Sequence, residues 1–267
     1  MLYRRGSSGI DIVQSLRMQI IKASADANEG HIPSALSILD ILWVLYDRVL
    51  NIYPDYPDHP DRDRFILSKG HASLGLYAVL AEKGFFDKSL MQSFGAYKSI
   101  LGGHPDRNKV PGVEASTGSL GHGFPMGVGI ALALRIKKSS SRVFTIVGDG
   151  ECNEGSVWEA ILLSAHHNLN NLVCIIDYNH STDRALTVGN LAGKFREFGW
   201  IMREIDGHDH EEIRNACHDV PLGAPLVVIA NTIKGKGFGI MENSPAWHHR
   251  SPSKEELAEI LRSLSET

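Results

Sequence analysis

The stretch GDGECNEGSVWEA, residues 148–160, places a carboxylate between two glycines just after an apolar run, VFTIV. Asp149 is that carboxylate, and Gly148 and Gly150 flank it. Glu154 follows five residues later, at the head of an apolar helical pattern. Thirty residues beyond Asp149, Asn179 follows a second apolar run, LVCII. That interval is about the length of one strand–helix–strand unit. If the two strands are neighbours in a parallel sheet, both side chains stand at the carboxyl ends of strands, where open sheets gather ligands. A carboxylate with an amide carbonyl is a hard-oxygen pair suited to Mg²⁺ or Ca²⁺, with water and phosphate oxygens completing the shell. Glycines on either side let the backbone approach a phosphate closely, and the helix after Glu154 turns its N-terminus toward the same anion. Taken singly, each position also fits an ordinary tight turn. The joint spacing at two strand ends favours the cation–phosphate reading.

The elements that must hold these residues follow from hydrophobic periodicity. Strands are expected at 143–147 and 172–176, a short one at FILS (65–68), and two more at 200–206 and 225–233. Helices are expected at 10–27, 35–50, 124–138, 155–168, 187–198, 209–218 and 253–265, with another from about 69 to 84. Alternating strands and helices imply an α/β fold: a three-layer, doubly wound, mostly parallel sheet flanked by helices. The N-terminal helices form a layer of their own, and the whole of 1–267 reads as one domain. The segment GGHPDRNKVPGVEASTGSLGHG is too rich in glycine and proline to be regular, and such a long loop within a domain points to function.

Composition excludes several classes. A net charge of −4 gives no support for nucleic-acid binding. KGKG at 234–237 is the only short basic candidate, and it reads as a solvated turn. No apolar h-region follows the N-terminal arginines, and the longest apolar region is interrupted by Asp40 and Asp47. A secretory signal and a membrane span are therefore not expected. Three cysteines without CxxC spacing fit a reducing cytoplasm. The histidines lack zinc spacing. Neither GxGxxG nor GxxxxGK[ST] is complete, so a dinucleotide or P-loop phosphate is not expected.

GDG followed by an asparagine about thirty residues later resembles the thiamine-diphosphate signature. EGHIPSALSILDILW, RFILSKGHASLGLYAVL, GGHPD, PGVEASTGSLGHG and GDGECNEGSVWEA together resemble the N-terminal half of transketolases. The resemblance covers nearly the whole chain and implies thiamine diphosphate with Mg²⁺, for which Ca²⁺ or Mn²⁺ can substitute. It implies that Asp149, Asn179 and the Ser181 carbonyl ligate the metal. It implies a diphosphate site at His71, Gly148 and Gly150, with Glu154 orienting it from behind. Gly118 and Leu120 are expected to hold the aminopyrimidine through backbone groups, with Ser119 between them at the cofactor, and His122 is expected on the pyrophosphate or the pyrimidine side. His31, His104 and His248 are expected to line the channel near the thiazolium carbon and the sugar hydroxyls. The plain alternative for each loop histidine is exposure to solvent, and His249 competes with His248.

Two departures and one absence qualify the resemblance. His180 stands where relatives carry a small residue, and it must adopt a backbone conformation that glycine adopts more easily. Asp183 and Arg184 add charge beside the site, either toward a partner or as a solvated pair. The glutamate that activates the aminopyrimidine lies in a second portion of the family's chain, beyond this sequence. A split transketolase is therefore expected. The partner would carry the pyrimidine-binding and C-terminal domains in an α2β2 assembly acting on sugar phosphates. The alternatives are a deoxyxylulose-phosphate synthase-like or 2-oxo-acid dehydrogenase-like subunit, or a catalytically silent cofactor-binding subunit.

Overall fold

The five apolar runs are the strands of one parallel sheet. The structure is a computed structural model that describes residues 9–183, 185–220 and 222–265. The strands are β1 (Arg64–Leu67), β2 (Val143–Gly148), β3 (Leu172–Tyr178), β4 (Ile201–Asp206) and β5 (Leu226–Asn231). Their order is β1-β2-β3-β5-β4, and every neighbouring pair is parallel. Gly148 pairs with Asp177, so the ends of β2 and β3 lie side by side. That adjacency is the condition under which Asp149 and Asn179 can share one crevice.

The helices are α1 (Gly9–Ala27), α2 (Ile32–Ser37), α3 (Leu39–Val44), α4 (Ser73–Glu82), α5 (Gly123–Ile136), α6 (Gly155–His166), α7 (Leu191–Glu197), α8 (His210–His218) and α9 (Lys254–Ser265). One face of the sheet, with Phe65, Phe144, Ile146, Val173, Ile175 and Val228, shares a core with α1–α4, α8 and Ile260 of α9. The other face, with Ile66, Val143, Val147, Cys174, Ile176 and Val227, packs on α5, α6 and α7. Burial on both faces explains why β2, β3 and β5 read as continuous apolar runs. α5 crosses β2 closely because residue 127 is glycine. A Cβ there would lie 2.6 Å from Thr145 Cγ2.

The helix expected over 35–50 is three pieces: α2, α3 and a π-helical turn at Leu45–Val49. Ile38 interrupts the first junction with φ −107° and ψ 1°. A segment that is apolar on every side gives no signal for where its helix breaks. The helix expected from 69 begins as a 3₁₀ turn at Gly70–Ala72 and becomes regular only in α4. Among the described residues, no helix is long and apolar enough to cross a membrane.

Candidate cofactor site

Asp149 opens a 3₁₀ turn, Asp149–Asn153, that separates β2 from α6. Its side chain is buried. Oδ1 accepts from the Gly150 N–H (2.8 Å) and from the Ser181 hydroxyl (3.2 Å). Oδ2 is buried with no hydrogen-bond partner. Burial, and then the charge of Asp177, push the Asp149 carboxyl above the usual range. A buried carboxylate oxygen without a donor is costly unless a cation meets it.

Asn179 is fixed beside it. Its Nδ2 donates to Asp177 Oδ2 (3.0 Å), and its Oδ1 accepts from the Ser181 N–H (3.1 Å). His180 takes φ 60°, the left-handed conformation anticipated from its position. This turn brings the Ser181 hydroxyl to Asp149. His180 Nδ1 pairs with Asp183 Oδ2 at 2.9 Å on the exposed side of the turn. Arg184 lies outside the described residues.

Beneath this pair sits Asp177, fully buried. It accepts from Lys69 Nζ, Ser37 Oγ, Thr232 Oγ1 and Asn179 Nδ2. Burial raises its carboxyl, but Lys69 and the hydroxyl donors outweigh burial and hold it below the usual range. Asp177 thus joins the ends of β3 and β5 to α2 and to the SKGHA turn.

A cleft of about 600 Å³ opens beside Asn179, lined by Ser181, Asp183, Lys234, Asn243, Pro245 and His248, among others. Lys234 Nζ lies 3.3 Å from His248 Nδ1. Burial and the nearby Lys69 charge lower the Lys234 ammonium, against the opposing pull of Asp177 and Asp149. The residue read as part of a solvated turn is therefore a wall of the cleft.

The histidines converge next to it. The His31 ring lies 5.0 Å from His71, 5.8 Å from His248 and 4.4 Å from His249, centroid to centroid. Burial first, then His249 and His248, lower His31 to about 4. Burial first, then Lys69, lower His71 to about 2. Both imidazoles are neutral at pH 7. His104 is exposed, but its ring lies against Gly118, where a Cβ would meet His104 Cδ2 at 3.0 Å. Tyr77 OH donates to the His104 carbonyl at 2.9 Å and holds that loop.

Glu151 braces the site from behind. Glu151 is buried and accepts from Ser68 Oγ (2.8 Å), Gly121 N–H (2.9 Å) and Gly148 N–H (3.0 Å). These bonds tie the Gly118–His122 loop to the ends of β1 and β2. Glu154 has an exposed carboxylate, and what it offers the loop is its Cβ. A Cβ on Gly121 (φ 78°) would approach it to 2.6 Å, so only glycine fits there. In the 3₁₀ turn the side chain that points inward is that of Glu151, while the Glu154 carboxylate stands exposed on the surface of this chain. His122 is exposed and hydrogen-bonds the Leu120 carbonyl through Nδ1 (3.0 Å). Ser119 is exposed and Leu120 is partly buried.

Residues 9–265 match the family described as transketolase, thiamine diphosphate binding domain. The chain belongs to the transketolase family. It is 37% identical over 257 residues to an apulose-4-phosphate transketolase subunit from Phocaeicola vulgatus, covering 94% of this chain and 91% of that one. A 6-deoxy-6-sulfo-D-fructose transketolase subunit from a Clostridium species is 38% identical, with 85% of each chain covered. The transketolase structure from Campylobacter jejuni superposes with a TM-score of 0.88 at 31% identity, covering 96% of this chain but only 43% of that chain. That from Leishmania mexicana gives a TM-score of 0.90 at 26% identity, over 97% of this chain and 41% of the other. This transketolase-family chain thus spans about two fifths of the length of those solved chains.

Within this family member, the fold brings Asp149, Asn179 and Ser181 together at one strand-end crevice and gathers His31, His71 and His248 beside it. The sequence reading missed Lys69, Glu151, Asp177 and Lys234. Lys69 stands in the SKGHA block and Glu151 two residues after Asp149, so both were in view. No local pattern marks Asp177, the last but one residue of an apolar strand, as the acceptor for four donors.

Proposed function

We propose that this chain is the cofactor-anchoring subunit of a two-chain transketolase. A single thiamine-diphosphate-binding domain would span it. The observation that carries the reading is Asp149 Oδ2, a buried carboxylate oxygen without a partner at the end of β2. The donor set around it fits Mg²⁺: the Asp149 carboxylate, the Asn179 amide carbonyl and the Ser181 backbone carbonyl are hard oxygens. Burial first, and then the Lys69 charge, lowers both His71 and Lys234 where these groups crowd together. Such a crowd of cationic groups suits a diphosphate, whose charge relieves their repulsion.

When bound, thiamine diphosphate supplies the carbanion chemistry needed to break and remake a carbon–carbon bond. This chain's residues would bind, orient and move protons. His71, Gly148 and Gly150 would sit against the diphosphate, and Gly118, Ser119, Leu120 and His122 along the aminopyrimidine side. The neutral imidazoles of His31 and His248, with His104, would accept and return protons at the hydroxyls of a ketose phosphate donor and an aldose phosphate acceptor. The Gly150 N–H already donates to Asp149, so a diphosphate would share or take over that bond. A partner carrying the pyrimidine-binding domain would close the other side of the cofactor in an α2β2 assembly. The names of the relatives, which call them subunits, and the two-fifths coverage of single-chain transketolases support it.

The test is titration of the chain with thiamine diphosphate, with and without Mg²⁺, followed by tryptophan fluorescence and repeated with affinity-purified complex from native lysate. Binding should require Mg²⁺ and should disappear in Asp149→Ala. Metal-independent binding, or binding that survives the substitution, overturns the metal assignment. Mass spectrometry of the complex should find a stoichiometric partner with a pyrimidine-binding domain.

A further inference from the structure

Another buried carboxylate, Asp40 on α3, lies in the helical layer, and every ionisable side chain that touches it is a donor. Arg17 on α1 gives it a 2.7 Å ion pair. His208 Nδ1 lies 3.0 Å from Oδ2, and His210 Nε2 lies 3.0 Å from Oδ1. The side chains of Asp40, His208 and His210 are only 6%, 11% and 15% exposed. The other nitrogen of His208 does something different. The Ile233 backbone N–H points at His208 Nε2 from 2.9 Å. A backbone N–H can only donate, so Nε2 must be unprotonated. Nδ1 then carries the proton and gives it to Asp40. The tautomer is fixed from both ends.

Ile233 precedes Lys234, and this segment builds the wall of the cleft. The Lys234 carbonyl accepts from the Asn243 N–H (2.8 Å), and its ammonium meets His248. Just upstream, Thr232 bonds Asp177. Gly207 brings β4 against that point, for a Cβ there would lie 2.4 Å from Thr232 Cγ2. Downstream, the Gly235 N–H reaches the Pro33 carbonyl at 3.0 Å. Between those two ties, the Ile233 amide is held by His208.

We propose that His208 is a positioning residue. Oriented by Asp40, it anchors the Ile233 amide and so fixes Lys234 and the 243–248 segment against the cleft. What Lys234 and His248 do there rests on the transketolase reading. The anchor rests only on contacts inside this chain. Protonation of Nε2 would set one N–H against another and release the segment. The charged groups facing His208 are Asp40 and Arg17 from the helical layer, His210 at the start of α8, and Asp206, which accepts from the His208 backbone N–H. Lys234 follows on the anchored segment itself.

Hydrogen exchange of the ligand-free full chain tests this without any cofactor. His208→Asn keeps a donor for Asp40 but has no acceptor at the Nε2 position. Exchange over 232–248 should rise about tenfold, the effect of losing one buried hydrogen bond on a local opening. His208→Gln reaches the Ile233 amide with its Oε1 and should restore most of the protection. His210→Asn removes a donor from the same carboxylate and should leave 232–248 unchanged. Protection of β3 and β5 reports that each variant is folded. Unchanged exchange in His208→Asn, or equal loosening in His210→Asn, overturns the proposal. If His208→Asn loses the sheet, ¹⁵N NMR of the wild-type imidazole decides. An Nδ1–H neutral tautomer at pH 7 supports the anchor, and an Nε2–H or doubly protonated ring overturns it.

Discussion

Asp40 and Asp149 are both buried aspartates, yet their surroundings are opposite. Asp40 has a guanidinium and two imidazole donors, with both oxygens bonded. Burial pushes its carboxyl up, but the His208 and His210 bonds and the Arg17 charge outweigh burial and hold it well below the usual range. Asp149 has two neutral donors on one oxygen and none on the other. Burial wins there, and the carboxyl rises. A saturated buried carboxylate serves the structure, whereas an unsaturated one at a strand end is the observation behind the proposed metal site.

The largest effect expected from breaking this contrast is at Asp40. Asp40→Ala leaves the Arg17 guanidinium buried without its anion, which should cost about 3–5 kcal/mol in urea unfolding. Next comes Glu151→Ala, which strands the Ser68, Gly121 and Gly148 donors. Water can reach these donors beside the partly exposed loop, so the net cost should be about 1–3 kcal/mol, and hydrogen exchange over 118–122 should show that loop loosened. Glu154→Gln, three residues away but exposed, should stay within about 0.5 kcal/mol of wild type. Equal losses at 151 and 154 would contradict the assignment of the inward carboxylate.

The pH dependence sharpens the contrast, because the two aspartates contribute slopes of opposite sign. Asp40, with a depressed folded pKa, contributes stability that is present above its unfolded value and lost as pH falls below it. Asp149, with a raised folded pKa, destabilises the fold at neutral pH, and that penalty is relieved as pH falls through the folded pKa. Asp149→Asn should therefore raise stability at neutral pH and remove the slope just above the ordinary carboxylate range, while abolishing Mg²⁺-dependent cofactor binding. Urea midpoints at a series of pH values, without Mg²⁺, check the sign. A loss of stability at pH 7 in Asp149→Asn would mean the carboxylate is already satisfied.

The smallest effect expected is at the histidines. His31, lowered to about 4, should remain neutral at pH 6 by imidazole NMR. Its folded pKa lies below the unfolded one, so stability falls as pH drops from about 6.5 toward that value. Added inorganic pyrophosphate should raise the midpoint, because an anion offsets the positive crowd that lowers it. No movement on adding pyrophosphate would separate the histidine group from the anion site.

What was legible in the sequence is what local patterns encode. Continuous apolar runs identified the buried strands, and the GDG turn and Asn179 fell where β2 and β3 end. The strained turn at His180 could be foreseen because the left-handed conformation is a property of single residues. Other features had no local signature. The break at Ile38, the inward turn of Glu151 and the wall formed by Lys234 depend on what packs against them. Asp177 and Asp40 each gather donors from segments scattered along the chain, and His208 acquires its tautomer from a backbone amide 25 residues away. Periodicity and turn chemistry act over a few residues and can be read directly. Burial, hydrogen-bond saturation and charge crowding depend on distances that only the folded chain defines. The sequence by itself therefore determined the sheet and the strand-end position of Asp149 and Asn179. Tertiary structure decided which buried carboxylate is satisfied and which one keeps an oxygen without a partner.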